Sequence, residues 1–246
     1  MRNRLDKLLF ERGMAPSRER AQALILAGRV LVNQQKVEKP GASVDDTALL
    51  RVLGEEQRYV SRGGFKLEAA LDRWHIDLTA RHCADIGTST GGFTDCMLQH
   101  GAAGVVAVDT GYGQIAEALR RDPRVSLRER TNARYLKPGE LGPGISFVSM
   151  DVSFISATLV LPPVLAAVRD SGESRVEAVI LVKPQFEAGR EHVGKGGIVH
   201  DPAAHQLAID RVRAAVHDLG AAGTEVAESP IQGAKGNREF LLYSRF

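Results

Sequence analysis

The stretch ADIGTSTGGFTD (84–95) sets an acid, Asp85, at the end of an apolar run and follows it with glycines and small hydroxyl residues. A loop this bare lets a ligand come close to the backbone. A phosphate-binding P-loop needs a Lys followed by Ser or Thr after its glycines, and neither is in place. A dinucleotide loop reads G-x-G-x-x-G, whereas Gly87, Gly91 and Gly92 give G-x-x-x-G-G. The acid at the head of the loop disfavours a pyrophosphate and suits a ligand with an ammonium and a sulfonium, which describes adenosylmethionine. Candidate contacts to that cofactor are Asp85, Gly87, Thr88, Ser89, Gly91, Gly92 and Phe93. Asp109, one strand later, is placed to accept hydrogen bonds from ribose hydroxyls, and Asn132, in ERTNARYL, to meet the adenine. Asp151 and Lys183 also follow apolar runs, FVSM and AVILV, and so stand where a strand ends.

An alternation of strand-like and helix-like segments sets these positions. FKLEAALDRW and GQIAEALRRD read as helices, and HCADIG, GVVAVD, GISFVSMD and VEAVILVKP as short apolar strands. Strands alternating with helices imply a parallel sheet covered on both faces, with ligands bound at the carboxyl ends of the strands. The expected fold class is therefore α/β, with helices on both faces of the sheet and a small α+β domain ahead of it. FEAGREHVGKGGIVHDP is Gly-rich and charged and ends on Asp201 as a helix N-cap with Pro202 as the first helical residue. Residues 187–200 are either a mobile lid or a long connection.

A chain of 246 residues holds one sizeable core and a small extra module. Met1 to Val37 carries eight basic and three acidic residues, a local excess of +5 that leaves −3 for the remainder. A basic head on a near-neutral body points to a polyanionic partner at one end. In the head, Leu5, Leu8 and Leu9, then Ala21, Leu24 and Ile25, recur at helical spacing, and Ser17 is placed to cap the second helix. RVLVNQQKV and ALLRVL read as strands, and EKPGAS as a turn. The expected domains are 1–53, a polar linker at 54–59 and a body at 60–246. Cys83 and Cys96 are too few for a disulfide framework and read as core thiols. His192, His200 and His205 cluster only loosely, so no metal is assigned. The most apolar segment, ISATLVLPPVLAAV, is too short to cross a bilayer, and MRNRLDKLLFERG lacks a signal peptide's apolar centre. The expectation is a cytoplasmic protein with no membrane partner and no obligate protein partner.

The pattern RLDKLLFERGMAPSRERAQALILAGRVLVN resembles the small RNA-binding domain named for ribosomal protein S4. That resemblance implies phosphate contacts from basic side chains on the two helices, and Arg4, Arg18, Arg20 and Lys36 are the candidates. Behind it, YVSRGGFKLEAAL, DIGTSTGGFTD, AVDTGYGQ, MDVSFIS, LVKPQFEAGR and GNREFLLY occur in order. With these motifs the chain resembles the TlyA (haemolysin A) family of ribosomal-RNA 2′-O-methyltransferases. Its body is similar to the FtsJ-type ribose methyltransferases, whose Lys-Asp-Lys-Glu set falls on Lys66, Asp151, Lys183 and Glu239. The resemblance implies a Rossmann-like adenosylmethionine-dependent methyltransferase sheet for the body, ribosomal RNA or a ribosomal subunit as partner, a cytidine as target and adenosylmethionine as cofactor.

A ribose hydroxyl is a poor nucleophile near neutral pH and must be held in line with the methyl group while it loses its proton. Lys183 is the best candidate for the base. Neighbouring ammonium groups favour a neutral amine and the two carboxylates favour a charged one, so the proton's route stays open. Three other readings compete: a methyltransferase acting on small molecules, an RNA-binding protein with an inert methyltransferase body, and a membrane-active haemolysin. The basic head argues against the first, the intact motif set against the second, and the lack of a span or a sustained basic amphipathic helix against the third.

Overall fold

A computed structural model describes residues 2–53, 58–169 and 175–246. The chain divides into two compact units, Met1–Arg58 and Tyr59–Phe246. Of the linker expected at 54–59, residues 54–57 lie outside the described residues. Tyr59 is 1% exposed and sets its ring edge-on to Phe65 at 5.2 Å, so it belongs to the packed interior of the second unit.

The first unit runs β1 (Arg2–Arg4), α1 (Leu5–Glu11), α2 (Arg18–Leu26), β2 (Val30–Val32), β3 (Gln35–Lys36), β4 (Ser43–Asp45) and β5 (Leu50–Val52). The expected leucine stripes do become its core: Leu5, Leu8, Leu9, Ala21, Leu24 and Ile25 pack with Val30, Val44 and Leu50. Ser17 caps α2, its Oγ accepting a hydrogen bond from the Arg20 amide at 3.2 Å. RVLVNQQKV is two strands rather than one. Asn33 and Gln34 both take positive φ, 49° and 68°, and close a tight hairpin between β2 and β3. Asn33 fits this turn because its side-chain oxygen also accepts from the Leu49 amide at 3.0 Å. Strands β1 and β4, too short to show alternation, pair antiparallel.

The second unit continues with α3 (Gly63–Trp74), β6 (His82–Ile86), α4 (Gly92–Gln99), β7 (Gly104–Val108), α5 (Glu117–Arg120), β8 (Val125–Arg128), β9 (Ile145–Met150), α6 (Ala157–Arg169), β10 (Glu177–Val182), α7 (Pro184–Glu187), α8 (Pro202–Asp218), β11 (Gly223–Glu228) and β12 (Phe240–Arg245). Seven strands form one sheet in the order β11-β12-β10-β9-β6-β7-β8. The side chains of β10 show how it is covered. Ala178, Ile180 and Val182 join the core under α6 and α8, whereas Val179 and Leu181 join the core under α3, α4 and α5. Both faces are apolar, as a sheet buried on both sides requires.

The sheet is mixed rather than wholly parallel. β12 runs antiparallel to both of its neighbours, β10 and β11. The helix expected over GQIAEALRRD shrinks to the four residues of α5. The Ala116 amide bonds to the Thr90 carbonyl at 3.1 Å, and that attachment to the glycine loop overrides helix propensity before Glu117. Helix α6 runs through Pro162 and Pro163. Asp201 caps α8, accepting from the Ala203 amide at 2.9 Å, with Pro202 as its first residue. Cys83 and Cys96 are buried thiols. Among the described residues no helix is long and apolar enough to cross a membrane.

Candidate active site

The carboxyl ends of β6, β7, β9 and β10 point the same way, so the loops after them share one rim. Asp109, Asp151 and Lys183 each stand immediately after one of these strands. The glycine loop follows β6, and its bareness serves packing as well as access. Gly87, at φ +88°, lies so close to the chain after β9 that an added Cβ would sit 2.5 Å from the Asp151 carbonyl oxygen. A Cβ on Gly92 would sit 2.3 Å from Ser61 Oγ and 2.9 Å from the Gly64 amide, which is how the starts of α3 and α4 come together. Gly91, at φ +95°, is filled from behind by Leu119.

Two cavities of about 300 and 310 Å³ open along this rim and share Gly87, Ser89, Asp151 and Ser153. They are two halves of one groove. Asp109 and Asn132 line the second half with the apolar side chains Val108, Ala133, Ile155 and Val160. Asp109 is fixed by two backbone donors, the Ser89 amide at 2.7 Å and the Gly111 amide at 2.6 Å. Each carboxylate oxygen keeps a further lone pair for a hydroxyl. Asn132 is exposed, its side-chain oxygen accepting from the Arg134 amide at 3.0 Å. An acidic acceptor beside an apolar slot fits the ribose and adenine of adenosylmethionine.

Thr88, Ser89, Gly92 and Phe93 line the first half together with Lys66, Asp151 and Lys183. Lys183 Nζ donates to Ser153 Oγ at 2.8 Å. It forms an ion pair with Asp151 Oδ1 at 2.5 Å, at an angle that leaves this oxygen without a directed hydrogen bond. Lys66 Nζ donates to Glu239 Oε2 at 2.5 Å, and the two side chains are only 11% and 3% exposed. Strand β12 explains how a residue so late in the chain arrives here. Because β12 is antiparallel to β10, Phe240 pairs with Val182, and Glu239 stands at the same end of the sheet as Lys183. Gly233 makes room for it, since a Cβ there would fall 1.9 Å from Glu239 Oε1. Ser61 and Ser153 lie within the quoted motifs but carried no assigned role there, and Gly233 lies outside them. Nearness in space singles them out.

Asp85 and Gly91 line neither half of the groove. Asp85 lies within β6 rather than after it, and its side chain points beneath the loop. Thr94 Oγ1 donates to one oxygen at 2.6 Å and Ser149 Oγ to the other at 3.0 Å. Complete burial pushes its carboxyl up to about 6 against those two bonds, and the nearby Asp151 charge adds to the effect. The expected direct contact between Asp85 and a ligand ammonium therefore lacks geometry.

The segment from 187 to 200 is tied down at several points. Glu187 accepts from Ser156 Oγ at 2.5 Å and from the Ala157 amide at 2.7 Å, clamping the start of α6. Desolvation raises its carboxyl. Asn237 donates to the Gly197 carbonyl and accepts from the Val199 amide, at 2.8 and 3.0 Å. The stretch GNREF thus serves two ends, Asn237 anchoring this segment and Glu239 meeting Lys66.

In the first unit, the side chains of Arg4 and Arg18 are about half exposed, and both pair with the buried carboxylate of Asp6. Lys36 pairs with Glu38 at 2.7 Å, both exposed. Arg20 lies half-buried in the first turn of α2.

Residues 59–246 match the family model described as FtsJ-like methyltransferase, and residues 3–48 match the S4 domain. The chain is 45% identical over 246 residues to the 16S/23S rRNA (cytidine-2′-O)-methyltransferase TlyA of Mycobacterium tuberculosis, covering 99% of this chain and 90% of that protein. A solved structure from Streptococcus thermophilus that carries a hemolysin name aligns with a TM-score of 0.74 at 43% identity, over 99% of this chain and 88% of the other. An S-adenosylmethionine-dependent methyltransferase from Mesorhizobium loti aligns at TM-score 0.52 over 72% of this chain and 95% of its own. At 15% identity that likeness concerns the fold alone.

Proposed function

The chain belongs to the FtsJ-like methyltransferase family and, with its S4 domain, to the TlyA (haemolysin A) branch; from that premise we propose that it methylates a ribose 2′-hydroxyl of ribosomal RNA, at a cytidine, using adenosylmethionine. The observation that carries this reading is the pair of lysine–carboxylate contacts, Lys66 with Glu239 and Lys183 with Asp151, at one groove beside the glycine loop. Such a reading puts the protein with the ribosomes, in the cytoplasm.

Adenosylmethionine would supply a methyl group from its positively charged sulfur, which would leave as a neutral thioether. Asp109 would hold the ribose of that molecule and Asn132 the edge of its adenine, while Gly87, Thr88, Ser89, Gly92 and Phe93 would face its amino-acid portion. Asp85, beneath the loop, adds negative potential without contact. Lys183, held by Asp151 and Ser153, lines the first half of the groove and receives the proton of the 2′-hydroxyl. To do so it must first release one of its own, and a Ser hydroxyl as its bonding partner holds the amine in place through that change. Lys66, held by Glu239, lines the same half of the groove and orients the nucleotide. Holding the hydroxyl in line is worth up to about 7–11 kcal/mol, and a positioned base about 10²–10⁴-fold in rate. Alignment is therefore the larger contribution, and the basic S4 domain serves it by holding the RNA. Mapping 2′-O-methyl positions in ribosomal RNA from cells with and without this chain tests the reading. One cytidine should lose its mark, and an unchanged map would defeat it.

A further inference from the structure

Asp6 looks out of place in a unit that meets RNA. It sits in α1 of the most basic part of the chain, and a carboxylate there opposes a phosphate backbone. Yet its side chain is fully buried, so it never faces RNA itself. Arg4 Nε donates to Oδ1 and Arg4 Nη2 to Oδ2, both at 3.0 Å, a fork with two parallel bonds. Arg18 Nη2 donates to Oδ2 at 3.2 Å and Gln22 Nε2 at 2.8 Å. The Lys7 amide completes the set on Oδ1 at 2.9 Å. These bonds, led by that from Arg4, hold the carboxyl well below the usual range in spite of burial.

A guanidinium has five N–H donors. Asp6 engages two on Arg4 and one on Arg18, and the rest of both groups remains on a half-exposed surface. Arg4 is also pressed over Gly41, where an added Cβ would come within 3.3 Å of Nη1. Two cations from different elements, one at the end of β1 and one at the start of α2, are thus fixed side by side around a single buried anion.

We propose that Asp6 is a positioning residue for RNA binding, which sets the guanidinium groups of Arg4 and Arg18 as a rigid pair for successive backbone phosphates. This rests on the reading of the S4 domain as the RNA-holding part. Free arginines lose side-chain freedom when they meet phosphate, and these two have lost it already. The inference opposes simple charge counting. Neutralising a carboxylate next to an RNA surface should strengthen binding if charge alone decides, because the local excess of positive charge grows.

The test is Asp6→Asn in the full chain, with affinity for a ribosomal-RNA fragment read by fluorescence anisotropy across a salt series. Thermal unfolding reports whether the first unit stays folded. The expected result is binding on the order of 10-fold weaker, with the salt slope little changed, because both guanidinium groups keep their charge. Equal or tighter binding by the folded variant overturns the proposal. If Asp6→Asn does not fold, Arg4→Lys decides, since it keeps the charge but cannot form the fork. Weaker binding supports the positioning role, and parental affinity overturns it. A parent chain that binds no ribosomal RNA defeats the functional reading instead, which separates the two failures.

Discussion

Replacing Asp85 by Asn should make the methyltransferase body more stable at pH 8 and leave it no more stable at pH 4.5. Burial pushes the Asp85 carboxyl up to about 6, and the distance from an ordinary carboxylate value is equivalent to about 3 kcal/mol. The folded form holds this proton more tightly than the unfolded chain does. Stability from this group is complete below the ordinary carboxylate value near 4, declines as pH rises, and is gone above about 6. Asn cannot ionise and avoids that decline. It keeps one acceptor, and its amide must donate to the second hydroxyl, so the altered bonding to Thr94 and Ser149 gives back about 1 kcal/mol. The net gain at pH 8 is then about 1–2 kcal/mol, or roughly 2–8 °C in melting temperature for a body of this size. Thermal unfolding of parent and variant from pH 4.5 to 8 is the assay, and taking the difference cancels the other titrating groups. A difference that stays constant with pH, or a variant less stable at pH 8, refutes the reasoning.

Two further substitutions probe the groove. Asp109→Ala removes the acceptor for the ribose and releases the amides of Ser89 and Gly111, so adenosylmethionine affinity by calorimetry should fall about 10-fold or more; unchanged affinity rejects the assignment. Gly233→Ala puts a methyl group 1.9 Å from Glu239 Oε1 and must push that carboxylate off Lys66. Methyl transfer should fall about 10-fold while cofactor affinity changes little, and a parental rate would show that the Lys66–Glu239 contact is not needed.

Strand ends were easiest to read in the sequence. Asp109, Asp151 and Lys183 each follow an apolar run long enough to be a strand, and a parallel arrangement brings such ends together. Lys66 and Glu239 were legible only through resemblance, because a helix lysine and an acid before a strand look like surface residues in isolation. The missing information was the direction of β12, since a wholly parallel sheet would carry Glu239 to the wrong end. Asp85 misled for a related reason. Lying one residue inside β6 instead of after it turned its side chain under the loop, a difference that composition does not encode. The hairpin at Asn33–Gln34 escaped because neither residue is glycine, although both adopt the left-handed conformation. In the first unit the arginines were visible as charge, but the carboxylate that fixes two of them read only as a minus sign.

The most direct test is single-turnover methyl transfer from labelled adenosylmethionine to ribosomal RNA by the parent chain, Lys183→Ala and Lys183→Arg, after checking that each folds and binds both ligands. Nuclease digestion and mass spectrometry then locate the methyl group. The account predicts 2′-O-methylcytidine from the parent and a loss of at least about 10²-fold for Lys183→Ala. It predicts no recovery with Lys183→Arg, whose guanidinium stays protonated. A methyl group on a base, or a parental rate from Lys183→Ala, would contradict it.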